Sequence, residues 1–210
     1  MAYRSNIRRG IVDLKETIRN KARTLGIDLF AVAPVDVLTD YASEVNTRMH
    51  DLSIGLTDYM VKESDQYFFN NLSNPYHFLP NAQSIIVLGV YAYDDQSNYK
   101  HCNVEGRCKT ARTYAYYPVI RQMAQKLSAE INTLGFEAVE GQNIPLKYVA
   151  SKTGVGSYGK NGLLITKKYG SFIALRSIIS DMPLTPDNYP SENLCDGCDA
   201  CLKACPTKAL

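Results

Sequence analysis

The chemistry of this chain is concentrated in its last sixteen residues, from Cys195 to Leu210. Cys195, Cys198, Cys201 and Cys205 stand at spacing C-x2-C-x2-C-x3-C, and Pro206 follows at once. Thiolates are the soft ligands that iron–sulfur clusters require. The spacing is that of bacterial ferredoxins. Three cysteines of one tight loop wrap a face of a [4Fe–4S] cluster, and the fourth usually ligates the other cluster of a two-cluster module. Pro206 removes a backbone donor and fixes φ just past the last ligand. Two other uses of dense cysteines fit less well. Disulfide staples belong to small secreted chains, and no export signal is seen, because Asp13, Lys15 and Glu16 interrupt the place of an apolar h-region. Structural zinc wants two separated knuckles, and only one dense group of cysteines exists. No second run follows Cys205. The expectation is therefore either a polypeptide that continues past Leu210 or an unusual one-cluster protein.

A second stretch has the residue types of a ligand-handling turn. Gly154, Gly156, Gly159 and Gly162 permit positive φ and close backbone approach, and Lys160 adds a cation beside Asn161. No Walker frame fits, since Lys160 is followed by asparagine. The letters match G-x-G-x-x-G, but no strong strand precedes them and a strand rather than a helix is expected after them. A turn-rich connector is the plainer reading of the same residues. His101, Cys102 and Cys108 fall in a polar loop at 94–110, where the two cysteines could serve with His101 as extra metal ligands, and the plainer reading is of ordinary reduced loop thiols. His50 and His77 have no ligand spacing.

The elements that must position these groups can be read from periodicity. Ile7, Ile11, Leu14, Ile18, Ala22 and Leu25 recur every three or four residues, which predicts an amphipathic helix ended by Gly26. Leu29–Ala33 is a short buried strand stopped by Pro34, and Asp36–Met49 is helix-like. Residues 51–80 read as short helices and loop. Ser84–Tyr93 is a nearly continuous apolar run and predicts a central strand covered on both faces. Ala111–Leu134 predicts a long helix with a possible break at Pro118 and a Gly135 cap. Phe136–Val139 is a short strand and Pro145–Lys152 a short helix. Leu163–Thr166 and Phe172–Ile179 read as two strands closed over Tyr169 and Gly170. A linker rich in proline, asparagine and serine spans 181–193, so the domains divide at 1–185 and 186–210. The irregular mixture predicts an α+β fold. The net charge of +2 argues against a nucleic-acid or membrane footprint. No apolar run is long enough for a membrane span, and a cytoplasmic location is expected.

The order of these motifs resembles epoxyqueuosine reductase, and more distantly the reductive dehalogenases. The resemblance rests on Ala150-x-x-Thr-Gly-Val-Gly-x-x-Gly-Lys-Asn-x-Leu-Leu-Ile165, then Gly170-Ser171-Phe172, then Ser180-Asp181-Met-Pro183-Leu184, then the cysteine run ending Cys205-Pro-Thr-Lys-Ala. Upstream, Leu79-Pro80-Asn-Ala-Gln-Ser84-Ile-Ile-Val-Leu88 matches the family's strand entry. The likeness covers the chain from about residue 12. It implies a nitroreductase-like corrinoid-binding domain with a C-terminal ferredoxin-like module. It also implies a cobalamin cofactor reduced through [4Fe–4S]. Gly154, Gly156, Tyr158, Gly159, Lys160 and Asn161 would then lie against the corrin, and Cys195, Cys198, Cys201 and Cys205 would hold iron. The position of the family's catalytic aspartate is Glu140 here, in Val139-Glu140-Gly141. The arginine–aspartate–tyrosine–histidine run before the long helix is replaced by Ala111-Arg112-Thr-Tyr-Ala-Tyr116-Tyr117-Pro118, and a tryptophan common in the turn is Ser157.

The combined expectation is an iron–sulfur oxidoreductase acting on a small-molecule or modified-nucleoside substrate. It would be fed by an external donor such as ferredoxin or flavodoxin, with Glu140 or a tyrosine as proton source. Nucleic acid enters only as a tRNA substrate that the resemblance implies. The alternative is a non-catalytic electron carrier or corrinoid-handling protein. Gly154, Gly156 and Gly159 are expected to line a broad cleft with Lys160 and Asn161 pointing into it. Gly156→Val is expected to block cobalamin while sparing fold and cluster.

Overall fold

The structure is a computed structural model that describes residues 14–44, 47, 74–93, 113–141, 144–189 and 192–210. Its centre is the strand β2, Ser84–Tyr91, whose residues are all buried except Tyr91. Side chains alternate across a strand, so this run must feed two cores. Ile86, Leu88 and Val90 face one core, and Ile85 and Val87 face the other. The sheet order is β1-β2-β6-β3, with β1 at Leu29–Pro34, β3 at Ala138–Glu140 and β6 at Ile173–Ser180. Every pairing within it is antiparallel.

The first core is closed by the helical residues 14–24 and by helix α1, Thr113–Thr133. Ile120, Ala124, Leu127 and Ile131 of α1 repeat at the helical period, and all are fully buried against the sheet. Ile18 and Ala22 complete this layer. The second core is closed by Leu38 from the helical residues 37–44, by Leu79 and Ala82, and by helix α2, Leu146–Lys152. Gly26 and Gly135 take φ of 85° and 87° and terminate their helices as expected. The expected break at Pro118 does not occur, and α1 runs through it. The proline lies in the second turn, where it removes only one helical hydrogen bond near an end.

One pairing expectation is overturned. Leu164–Ile165 (β5) and β6 do not form a hairpin. β5 pairs instead with Ser157–Tyr158 (β4) in a separate two-stranded sheet. The Thr166–Gly170 bridge closes the turn after β5 and sends the chain to β6 in the main sheet. Residues 181–189 have no regular structure, yet they are tied to the core. Met182 and Leu184 are buried. Asp187 accepts hydrogen bonds from Lys15 Nζ at 2.7 Å and from the Val32 amide at 2.8 Å. Ile7, Ile11, His50, most of 51–80 and the 94–110 loop with His101, Cys102 and Cys108 lie outside the described residues. None of the described helices is long and apolar enough to cross a membrane.

Candidate functional site

The β4–β5 turn joins the sheet domain to the cysteine segment. Helix α2 ends at Thr153, whose hydroxyl caps its own helix through the Ala150 carbonyl at 2.8 Å. Gly154 then adopts φ of 79°. A Cβ there would overlap the Tyr189 carbonyl oxygen, and the Tyr189 amide donates to Thr153 O at 3.0 Å. The glycine therefore makes room for the chain that leads to the cysteines. Gly156 and Gly159 are buried, and Cβ atoms on them would come within 2.6 Å of Ile165 O and 2.7 Å of Ile165 Cδ1. The space these residues leave is filled by β5, not by an external ring. That corrects the steric reason expected for them. It also makes Gly156→Val a lesion of the β4–β5 hairpin rather than of a cofactor site.

Lys160 and Asn161 also point elsewhere than expected. The Lys160 amide donates to Cys195 Sγ at 3.4 Å, and its ammonium pairs with Asp199. The side-chain hydrogen bond to Asp199 is the main reason the ammonium is held above its ordinary pKa. Asn161 Oδ1 accepts from the Leu163 amide at 3.2 Å and stabilises its own turn. Ser157 Oγ accepts from the Leu194 amide at 3.3 Å. The turn thus seats the start of the cysteine loop on its outer side.

Its inner side opens on a cleft of about 480 Å³. Tyr41, Tyr117, Tyr158, Leu163, Ile173 and Leu175 supply the aromatic and apolar walls, and Thr113, Lys147, Ser171 and Arg176 the polar points. Tyr158 is the expected turn residue that lines this cleft. Partial burial, then neighbouring Tyr41 and Tyr148, raise its pKa. Lys147 Nζ donates to Gly162 O at 2.7 Å and ties α2 to the turn. Glu140 does not line the cleft. Its mostly buried carboxylate lies between Arg121, at 3.4 Å, and Arg176, at 3.6 Å, and Arg176 stacks over Tyr117 on the cleft wall. Arg176 and Arg121 were not singled out from sequence, since lone arginines in strand and helix patterns carry no signal.

The cysteine loop turns at Gly197, with φ of 68°, and enters the short helix α3, Ala200–Ala204. Cys195 is buried at 8 % exposure, whereas Cys198 is exposed. Hydrogen bonds from Thr207 Oγ1 and then from the Ala209 and Leu210 amides lower the Cys205 thiol pKa to about 7. Among the described residues no three cysteine, histidine or acidic side chains already converge at coordinating distances. The donor set still suits iron: four thiols, one already accepting a backbone N–H, with Lys160 nearby.

Residues 189–210 match the 4Fe-4S binding domain family. Along 200 residues the chain is 28% identical to an epoxyqueuosine reductase of Cyclobacterium marinum, covering 93% of this chain and 63% of that protein. With the enzyme of Leadbetterella byssophila it shares 29% over 207 residues, covering 94% and 65%.

The chain resembles epoxyqueuosine reductase over nearly its whole length.

It spans under two thirds of the length of those relatives. The solved epoxyqueuosine reductase of Streptococcus thermophilus superposes with a TM-score of 0.73 at 27% identity, over 95% of this chain and 54% of that one. A catabolic reductive dehalogenase shares the fold more distantly, with a TM-score of 0.56 at 12% identity, over 87% and 21%. This chain thus shares its mixed α and β architecture with the solved epoxyqueuosine reductases, and it carries an iron–sulfur motif near its own C-terminus.

Proposed function

We propose that this chain is an iron–sulfur oxidoreductase of the epoxyqueuosine reductase-like kind, with a nitroreductase-like core that binds cobalamin. The carrying observation is that one turn serves two neighbours. Its outer side holds the first ligand cysteine through the Lys160 amide, and two residues earlier Tyr158 lines the aromatic cleft. Electrons would enter at Cys195, Cys198, Cys201 and Cys205 and leave through the Cys195–Lys160 contact toward the cleft. When bound there, cobalamin would supply low-potential reducing chemistry. Tyr41, Tyr117, Tyr158 and Leu163 suit the face of a flat macrocycle, and Lys147, Ser171 and Arg176 suit its amide arms.

Glu140 serves this cleft through Arg176, holding the guanidinium against Tyr117. A proton from Glu140 itself requires Arg176 to swing aside. Tyr158, which lines the cleft and keeps its proton at neutral pH, is the donor in this reading. The substrate in this reading is a modified nucleoside, as the relatives' name states of them, and the protein works in the cytoplasm with a ferredoxin or flavodoxin as donor. One solved epoxyqueuosine reductase is complexed with an epoxyqueuosine-modified tRNA stem loop.

The test is anaerobic reconstitution with iron, sulfide and cobalamin, followed by gel filtration. Iron and cobalamin should co-elute with the chain. Leu163→Asp, a change at an exposed cleft residue, should release cobalamin and keep iron. Retention of iron without cobalamin in the wild type would favour the electron-carrier alternative.

A further inference from the structure

We propose that Lys160 seats the iron–sulfur loop against the cleft and sets the reduction potential of its cluster. The inference rests on the cluster reading above. Two bonds from one residue reach the loop at points four residues apart. The main-chain N–H donates to Cys195 Sγ, and the ammonium pairs with Asp199 at the start of α3. Cys195 is the buried one of the four cysteines, and it lies on the side of the turn. Cys195 and Cys198 are both within electrostatic reach of the ammonium.

Hydrogen bonds to sulfur, net charge and solvent exposure tune the potentials of such clusters. An N–H donor on a ligand sulfur and a nearby cation both favour the reduced, more negative cluster. Asp199 opposes the cation. Lys160 and Asp199 are therefore a balanced pair whose two members shift the potential in opposite directions. Because both side chains are about half exposed, the pair adds little to global stability. Its role is local: it fixes the loop's distance from the cleft and the field at its sulfurs.

The experiment uses the full chain, reconstituted anaerobically with iron and sulfide. The readouts are an EPR-monitored redox titration and the rate of iron transfer to a chelator. Lys160→Gln should make the potential more negative, and Asp199→Asn should make it less negative. The double variant should return close to wild type, and Lys160→Arg should hold the wild-type value. Lys160→Pro, which deletes the N–H donor, should lie below Lys160→Gln. Loss of the clasp should speed iron release in each charge-removing single variant by up to about fivefold, the range of an exposed ion pair. Shifts of the same sign in Lys160→Gln and Asp199→Asn, or no shift in either, overturn the proposal while leaving the cluster itself in place. A wild-type chain that takes up no iron overturns the cluster reading and the proposal with it.

Discussion

Replacing Asp187 with alanine should unfasten the segment that delivers the cysteine loop. The carboxylate is nearly buried, with 7% of its side chain exposed. One oxygen receives Lys15 Nζ at 2.7 Å and Arg19 at 3.4 Å, and the other receives the Val32 amide at 2.8 Å. Lys15 is equally enclosed and would keep only the Thr185 carbonyl, at 2.7 Å. Removing one member of a buried pair leaves an uncompensated charge, and the cost is about 3–5 kcal/mol. For a chain of this size each kcal/mol lowers Tm by roughly 2–4 °C, so a fall of roughly 6–20 °C is expected. Thermal unfolding followed by circular dichroism measures it. The pair Lys15→Met with Asp187→Leu should recover part of the loss, because the Lys15–Asp187 charges leave together while the Val32 amide still lacks its side-chain acceptor. A fall below about 2 °C in Asp187→Ala would show that the segment is held by Met182, Leu184 and its main-chain hydrogen bonds, such as Asp187 N–H to Val32 O, and would refute the electrostatic argument.

Gly154→Ala should cost about 1–3 kcal/mol, since φ of 79° is strained for alanine and its Cβ would meet the Tyr189 carbonyl. Chemical denaturation measures that loss, and an accompanying rise in iron lability would show that Tyr189 and the cysteine loop move with it. Glu140→Gln and Arg176→Gln should lower turnover on an epoxyqueuosine-containing stem loop by similar factors, tenfold or more, if Glu140 acts through Arg176. A loss confined to Glu140→Gln, with a changed pH–rate profile, would instead make Glu140 the acid.

Much of the scaffold was legible because it rests on local patterns. β2 showed itself as an unbroken apolar run, and its split into two cores follows from side-chain alternation alone. The buried face of α1 and the glycines that end two helices are equally local. β4 was not legible, because two residues cannot display a period, and without it β5 was assigned the wrong partner. The anchoring of 181–189 was hidden for another reason. Asp187 meets Lys15 across 172 positions, and nothing near either residue announces the other. The cysteines were read from spacing. The glycines were recognised as needing space, but sequence cannot say who fills it. Here Ile165 and Tyr189 do.

The claim that electrons pass from the cysteine-held cluster to a corrinoid in the adjoining cleft is tested most directly by an anaerobic reductive titration. The chain is loaded with cobalamin, with or without iron and sulfide, and reduced by a donor too slow to reduce free cobalamin. The cobalamin bands should change rapidly only in the iron-loaded chain, and Cys195→Ala should slow the change even where residual cluster remains. Equal rates with and without iron would contradict it.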